Sequence, residues 1–484
     1  MNYRKIYNVL GSILLIEAVL LVLPVMVSVL YREGFKTTLS FLITMAALAL
    51  TGFLMRIKKP EKESFYAKDG YMLVALTWIF MSLFGALPFK LSGAVPKYFD
   101  AFFETVSGFT TTGSTILTEI EALPKSILFW RSFTHFIGGM GILVFAIAVM
   151  PKTEGSAMHI MRAEVPGPSV GKLVSRLRAS ARILYAMYIG MTVLLIALLC
   201  LGKMPLFDSV CTAFATAGTG GFSVLNKSIE GYNSAYCEIV IAIFMLLFGV
   251  NFNLYYLSLK GHVKSALKDE ELRWYLGAII AATLIITLEL TFTHYPFVQS
   301  LRLSFFQVTS IISTTGFSTV NFDIWPTLAK IILLMLMFFG SCAGSTGGGL
   351  KIQRVAIILK NAKRTIKHAF NPRTVEGVKM NGRSVDEETV SGVINFLAIY
   401  LGVIFLSVFI IAIDGHEMLP TITSVITCIN NVGPAFAEIG PAGNFSAFSN
   451  LSKVVLTFDM LAGRLELIPM FMLFSKNLIP SKHA

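Results

Sequence analysis

Charge is what this sequence has least of. Asp, Glu, Lys and Arg make up 14% of its 484 residues, where a soluble domain carries roughly 25%. With 55% of the residues hydrophobic and 39 phenylalanines, an ordinary water-facing surface is excluded, and lipid is the natural solvent for most of the chain. Cysteine is sparse too. The five (Cys200, Cys211, Cys237, Cys342, Cys428) are scattered and form no CxxC pair. That excludes a disulfide framework and leaves them as small buried apolar residues. The seven histidines are dispersed, which gives no support to a protein metal centre. There are no paired carboxylates, no HExxH, no nucleophile elbow and no glycine-rich nucleotide fingerprint after a strand. Catalysis is therefore not expected, and any nucleotide would have to act through a partner.

What is present is a series of long apolar runs. A helix needs about 20 apolar residues to span a bilayer. Such runs lie near 6–30, 37–56, 71–89, 126–150, 183–203, 235–258, 274–294, 327–350, 390–413 and 451–475, so ten spans are expected. The first is too long for a signal-peptide core and has no cleavage pattern after it. Shorter apolar pieces near 98–109, 205–217, 299–312 and 418–429 are too short to cross. They read as half-helices that enter and turn back.

The net charge of +12 is not a nucleic-acid signal, because the basic residues sit in short links between apolar runs. Most of them fall in the N-terminus, 56–70, 151–182, 259–273, 351–389 and the C-terminus from 476. That bias puts both termini in the cytoplasm, and an even number of spans agrees with it. The links 151–182 and 351–389 are long and basic (Lys360, Lys363, Arg364, Lys367, Arg373). They read as positive-inside anchoring or as a docking surface for a cytosolic partner.

A repeat organises the chain. Four times, a short apolar helix runs into a cluster of small or polar residues that ends in glycine, followed by a polar loop and a long apolar helix. The clusters are Thr110-Thr111-Thr112-Gly113, Gly218-Thr219-Gly220-Gly221, Ser313-Thr314-Thr315-Gly316 and Asn430-Asn431-Val432-Gly433. All four fall at the same point of their units and on the same side, so the units are parallel copies. Parallel copies can close around an axis normal to the membrane and leave a pore on it. The resulting fold is an all-α integral membrane protein of ten transmembrane helices and four re-entrant pore half-helices, in pseudo-fourfold symmetry. Two peripheral N-terminal helices occupy 1–57, and the pore units occupy 71–150, 180–258, 272–365 and 388–475. Cytoplasmic linkers fill 151–179 and 366–387.

This chemistry suits a cation. Rings of backbone carbonyls replace an ion's water in potassium-selective filters. Glycine supplies the backbone angles that a Cβ resists, and Thr and Ser hydroxyls can ligate or tie the strand. Half-helix C-termini carry partial negative charge towards the cluster. Glu104, Glu119, Glu121, Glu230, Asp323 and Glu438 lie near the expected outer mouth, where they either concentrate cations or are ordinary solvated loop charges.

At these residues the sequence resembles the Trk/Ktr/HKT superfamily of potassium transporters, in its TrkH branch. The resemblance covers essentially the whole chain, including the two extra N-terminal helices that the shorter Ktr branch lacks. Some plant members that carry sodium have Ser for the first filter glycine. All four positions here are glycine, which implies a potassium preference with potassium held in the filter. The resemblance also implies an intramembrane loop in the second helix of the third unit. The matching stretch is Gly340-Ser341-Cys342-Ala343-Gly344-Ser345-Thr346-Gly347-Gly348-Gly349, and five glycines make a continuous helix costly. Within it Gly344, Ser345, Thr346, Gly347, Gly348 and Gly349 are the expected gate. Arg464 matches the pore-facing arginine below the filter, where it would raise the barrier for cations and hold the loop. A structural pair with Glu466 is the other reading of Arg464, and Glu466 itself is expected to tether a neighbouring helix. The resemblance further implies a homodimer in the bacterial inner membrane, with a ring of cytosolic nucleotide-binding TrkA-type subunits. The fourth filter lacks Thr, so its ion sites need not match the others. The alternatives are a secondary transporter of another solute, with a midplane site between broken helices, or a sodium-coupled cation symporter.

Overall fold

The computed structural model describes residues 2–57, 66–141, 177–293, 295–373 and 376–474. The C-terminus from 476, most of the expected linker 151–179 and the expected end of the first pore unit (142–150) lie outside them.

The described chain is helical apart from one two-stranded hairpin. Helices α1 (Tyr3–Leu20) and α2 (Val22–Leu30) form one apolar rod, and α3 (Phe35–Arg56) packs antiparallel to it. At the crossing a Cβ on Gly11 would lie 2.6 Å from the Gly52 carbonyl oxygen, and one on Gly52 2.7 Å from that of Gly11. Only glycine at both positions lets the two backbones approach this closely.

Four segments with the same element order follow. The first runs from α4 (Ala67–Gly85) through α5 (Leu87–Ser92) and the half-helix α6 (Tyr98–Phe109) to α7 (Lys125–Gly139). The second has α8 (Leu177–Leu201), the half-helix α9 (Leu206–Gly218), α10 (Ala235–Phe248) and α11 (Phe252–Leu259), with α12 (Val263–Leu267) in the link after it. The third has α13 (Glu270–Thr293), the half-helix α14 (Phe297–Ile312), α15 (Thr327–Phe339) and α16 (Ile352–Phe370). The fourth has α17 (Glu387–Ile411), the half-helix α18 (Met418–Asn430), α19 (Asn450–Arg464) and α20 (Ile468–Met472). Prolines 124, 205, 296 and 326 immediately precede α7, α9, α14 and α15. Their fixed φ and missing donor set where those helices start. All four half-helices lie within two residues of the sequence expectation.

Six helices among the described residues are long and apolar enough to cross a membrane unbroken: Tyr3–Leu30, Phe35–Arg56, Lys68–Ser92, Ala181–Leu201, Glu270–Thr293 and Glu387–Asp414. These are the N-terminal pair and the first helix of each segment. The second helix of each segment is broken, where an interruption was expected in the third alone. After Gly139 helix α7 ends, and Gly141 is left-handed. Helices α10 and α11 meet at 90° around residues 249–251. Residues 340–351 separate α15 from α16. Helix α19 stops at Arg464, and Glu466 and Leu467 both have positive φ. The carbonyls freed at these breaks receive donors from neighbouring segments, which is the condition for irregular backbone at membrane depth.

The hairpin pairs Lys379–Met380 with Arg383–Ser384 through Asn381-Gly382, both left-handed. Asn-Gly is the usual choice for such a turn. It falls in the link between the third and fourth segments.

Candidate functional site

Each half-helix ends in the same backbone figure. Two residues before the glycine that closes each cluster the chain turns left-handed, at Thr111 (φ 55), Thr219 (φ 56), Thr314 (φ 58) and Asn431 (φ 54). The glycines follow at φ 84, 76, 82 and 103. The Thr111 amide donates to the Gly108 carbonyl and the Thr112 amide to that of Ser107. Asn431 and Val432 do the same towards Cys428 and Thr427, and the two middle segments match. This is a Schellman-type helix end. A non-glycine residue at such a φ costs of order 1–3 kcal/mol and is kept where the surroundings enforce it. Four copies in one register, with Asn replacing Thr in the last, show that the backbone is the repeated feature and the side chain is not.

The four glycines close a ring. A Cβ on Gly113 would lie 2.1 Å from the Gly220 carbonyl oxygen, and one on Gly221 2.0 Å from that of Thr315. On Gly316 it would meet Val432 O at 2.1 Å, and on Gly433 it would meet Thr112 O at 2.7 Å. So each glycine faces the carbonyl just before the next glycine, and the fourth returns to the first. One open cavity is lined by all four glycines, with Ser114, Phe222, Ser318 and Pro434 around them.

The side chains tie the strands. Thr110 and Thr112 share a hydroxyl hydrogen bond of 2.8 Å, and Ser313 and Thr315 one of 2.7 Å. In the fourth segment Tyr400 donates to Asn430 Oδ1 at 2.8 Å, while Asn431 Nδ2 donates to Thr112 Oγ1 at 2.9 Å. That last bond links the ends of the ring.

Residues 340–351 lie against the helix-end side of this ring. The Gly348 amide donates to Thr314 Oγ1 at 2.7 Å. A Cβ on Gly348 would lie 2.4 Å from Asn430 O, and one on Gly347 2.8 Å from Ser313 O. The loop is buried and held on several sides. The Cys342 amide donates to the Gly249 carbonyl at the α10 break, and the Phe252 amide to that of Gly344. Glu271 Oε1 accepts from the Ala343 amide at 2.6 Å. Gly344 turns left-handed at φ 70 and Gly349 at φ 73, and Ser345 Oγ donates to Cys342 O. Lys351 Nζ donates to the Gly347 carbonyl.

Arg464 Nη1 donates to the Thr346 carbonyl at 2.7 Å, and Nη2 to Gly138 and Gly139 at 2.6 and 2.9 Å. One guanidinium thus gathers the end of α7, the loop and the end of α19. Glu466, two residues on, faces α16. That carboxylate accepts two hydrogen bonds from Arg354 on α16, at 2.6 and 3.1 Å.

A family model described as TrkH, a cation transport protein, matches residues 34–483. The chain belongs to the TrkH family. A TrkH potassium uptake protein of Salmonella typhimurium is 34% identical over 98% of this chain and 99% of its own. One from Halomonas elongata is 32% identical at the same coverage. The crystal structure of the potassium transporter TrkH from Vibrio parahaemolyticus superposes with a TM-score of 0.89 at 29% identity, covering 99% of both chains. This TrkH-family chain is therefore an all-helical membrane protein of transport, not catalysis.

Behind the ring lies a set of residues that the sequence reading missed or misplaced. Glu104 is no mouth acid. It is fully buried on α6, where Oε1 takes Arg131 Nε at 2.6 Å and its oxygens accept from Thr115 and Ile116. Arg131 also donates to the Ser223 carbonyl at 2.9 Å and lies 3.6 Å above the Phe222 ring. His135 Nδ1 is 2.7 Å from Gly108 O, and the Phe222 amide points at Nε2 from 3.3 Å. This pattern requires the neutral ring protonated at Nδ1. Arg131 and His135, both on α7, thus tie the first half-helix to the stretch that follows the second. Their signal in the sequence was an arginine and a histidine within one apolar run, which is costly in lipid and marks function or a buried partner.

Proposed function

We propose that this chain takes up potassium across the bacterial inner membrane, with the four filter segments as its selectivity filter. The closed ring of glycine–carbonyl contacts carries this reading. Left-handed residues at alternate positions of each segment turn successive carbonyls towards a common axis, where they replace the water of a potassium ion. The tied hydroxyls of Thr110, Thr112, Ser313 and Thr315 hold the strands at that spacing. Four parallel segments count against the midplane site between broken helices that an organic-solute transporter uses.

The stretch Gly344–Gly349 is the gate. It sits across the pathway and is held there by Arg464, whose charge on the axis also opposes a cation. The hydrogen bonds to Thr346 and Thr314 support this role. Arg354 and Glu466 tether α16 to the fourth segment, so movement of α16 would pull on the loop. The domain division is the one expected from the repeat, with both termini cytoplasmic. The chain acts as a homodimer, with a TrkA-type nucleotide-binding ring on the basic exposed end of α16.

Purified protein in liposomes tests the function. Potassium and rubidium influx should exceed sodium and lithium influx, with no proton gradient imposed. Equal fluxes for all four ions would overturn the potassium assignment.

A further inference from the structure

A cavity of about 520 Å³ opens to the side of the molecule between α13 and α16. That volume lies within the range of small-molecule sites, 300–1,000 Å³. Its walls are mainly apolar and include Trp274, Ala278, Phe339 and Leu359. A Cβ added to Gly277, which also lines it, would meet nothing within 4 Å. The cavity lies where α13 passes from polar to apolar sequence. Trp274 is 41% exposed there, as expected of an interfacial tryptophan. Arg273 lies at the rim, exposed, and its side chain has no hydrogen-bond or ion-pair partner among the described residues. The other rim charge, Glu270, is neutralised by Lys360. Lys363, one turn beyond Leu359 on α16, is exposed and adds positive charge on the same face.

We propose that this cavity binds one anionic phospholipid, with an acyl chain against Trp274 and Leu359 and the phosphate on Arg273. An apolar slot beside an unpaired cation at the bilayer edge matches that ligand in both shape and charge. The position also reaches the gate. Phe339 and Ile352, both in the cavity wall, are the residues on either side of the 340–351 loop. Glu271, next to Glu270 at the rim, accepts the hydrogen bond from Ala343 within it. An acyl chain lodged here braces both flanks of the loop.

The test uses the full chain reconstituted in phosphatidylcholine vesicles containing either brominated phosphatidylglycerol or brominated phosphatidylcholine. Fluorescence quenching lost in Trp274→Phe gives the signal of this site. Brominated phosphatidylglycerol should quench Trp274 at several-fold lower mole fraction than brominated phosphatidylcholine. Arg273→Gln should reduce that preference about fivefold, the weight of one charge at an anionic surface. Gly277→Phe, which fills the cavity without changing its charge, should abolish it. Equal quenching by the two lipids would mean bulk lipid only and overturn the site. Absence of quenching by either would mean that protein, such as a second copy, covers the cavity, and would overturn it too. So would an undiminished preference in both variants.

Discussion

Gly221 approaches the carbonyl oxygen of Thr315 so closely that a methyl group on its Cα would sit 2.0 Å away. Gly221 also has a φ of 76. Alanine at Gly221 would therefore be strained in itself, by more than about 1 kcal/mol, and would push the third filter strand outward. Gly113→Ser meets the Gly220 oxygen in the same way. Both variants should lower the potassium-to-sodium flux ratio by about tenfold or more, the equivalent of 1.4 kcal/mol. Competition of sodium against rubidium uptake in liposomes reads this directly, and an unchanged ratio would remove these residues from the filter.

Arg464→Ala should raise basal flux. It removes the guanidinium from three carbonyls, those of Thr346, Gly138 and Gly139, and hydrogen bonds to a charged group contribute about 1.5–3 kcal/mol each. Loss of one such bond is enough to shift a two-state loop tenfold. Lysine has no planar fork to reach three oxygens, so Arg464→Lys should fall between wild type and alanine. Deletion of 341–349 should raise flux as well. Rubidium uptake without any partner subunit is the readout, and low flux in all three variants would exclude the gate.

Glu271 also holds the loop, through the Ala343 amide. Glu271→Ala leaves that buried donor unsatisfied, at a cost of about 1–3 kcal/mol, and should also raise basal flux. Glu271→Gln keeps an acceptor oxygen and should recover most of the closed state. If alanine and glutamine behave alike, this contact does not secure the loop.

The Glu104–Arg131 pair should matter for stability as well as selectivity. Arg131→Met leaves a buried carboxylate uncompensated, which typically costs 3–5 kcal/mol. The double variant Glu104→Gln with Arg131→Met removes both charges and should recover part of the loss. Thermal unfolding followed by size-exclusion fluorescence measures this. A double variant no more stable than Arg131→Met alone would show that the two residues are not energetically coupled.

Much of this was legible in the sequence because the repeat fixed it. The half-helices and filter glycines stand at composition boundaries, where an apolar run gives way to small polar residues and then Gly113, Gly221, Gly316 or Gly433. The loop came from the family resemblance, and five glycines in ten residues weighed against a continuous helix there. The other breaks were not legible. Gly249-Val250-Asn251 and Leu465-Glu466-Leu467 sit inside apolar runs with no glycine cluster to mark them, and contacts from outside hold the interruptions. Gly249 gives up its carbonyl to Cys342, a partner far away in the chain. The left-handed Thr111, Thr219, Thr314 and Asn431 were hidden for a related reason. Thr favours other regions of backbone space, and only the ring of neighbours holds it there. Glu104 was misplaced because a half-helix acid next to a loop reads as solvated until its arginine, 27 residues on, is known to fold behind it.

Potassium coordination by the ring is tested most directly by anomalous scattering from crystals grown in rubidium or thallium. Ion density should lie on the axis among the carbonyl oxygens of Thr112, Gly220, Thr315 and Val432, and should vanish when sodium replaces the heavier ion. Density confined to sites away from that axis would contradict the filter.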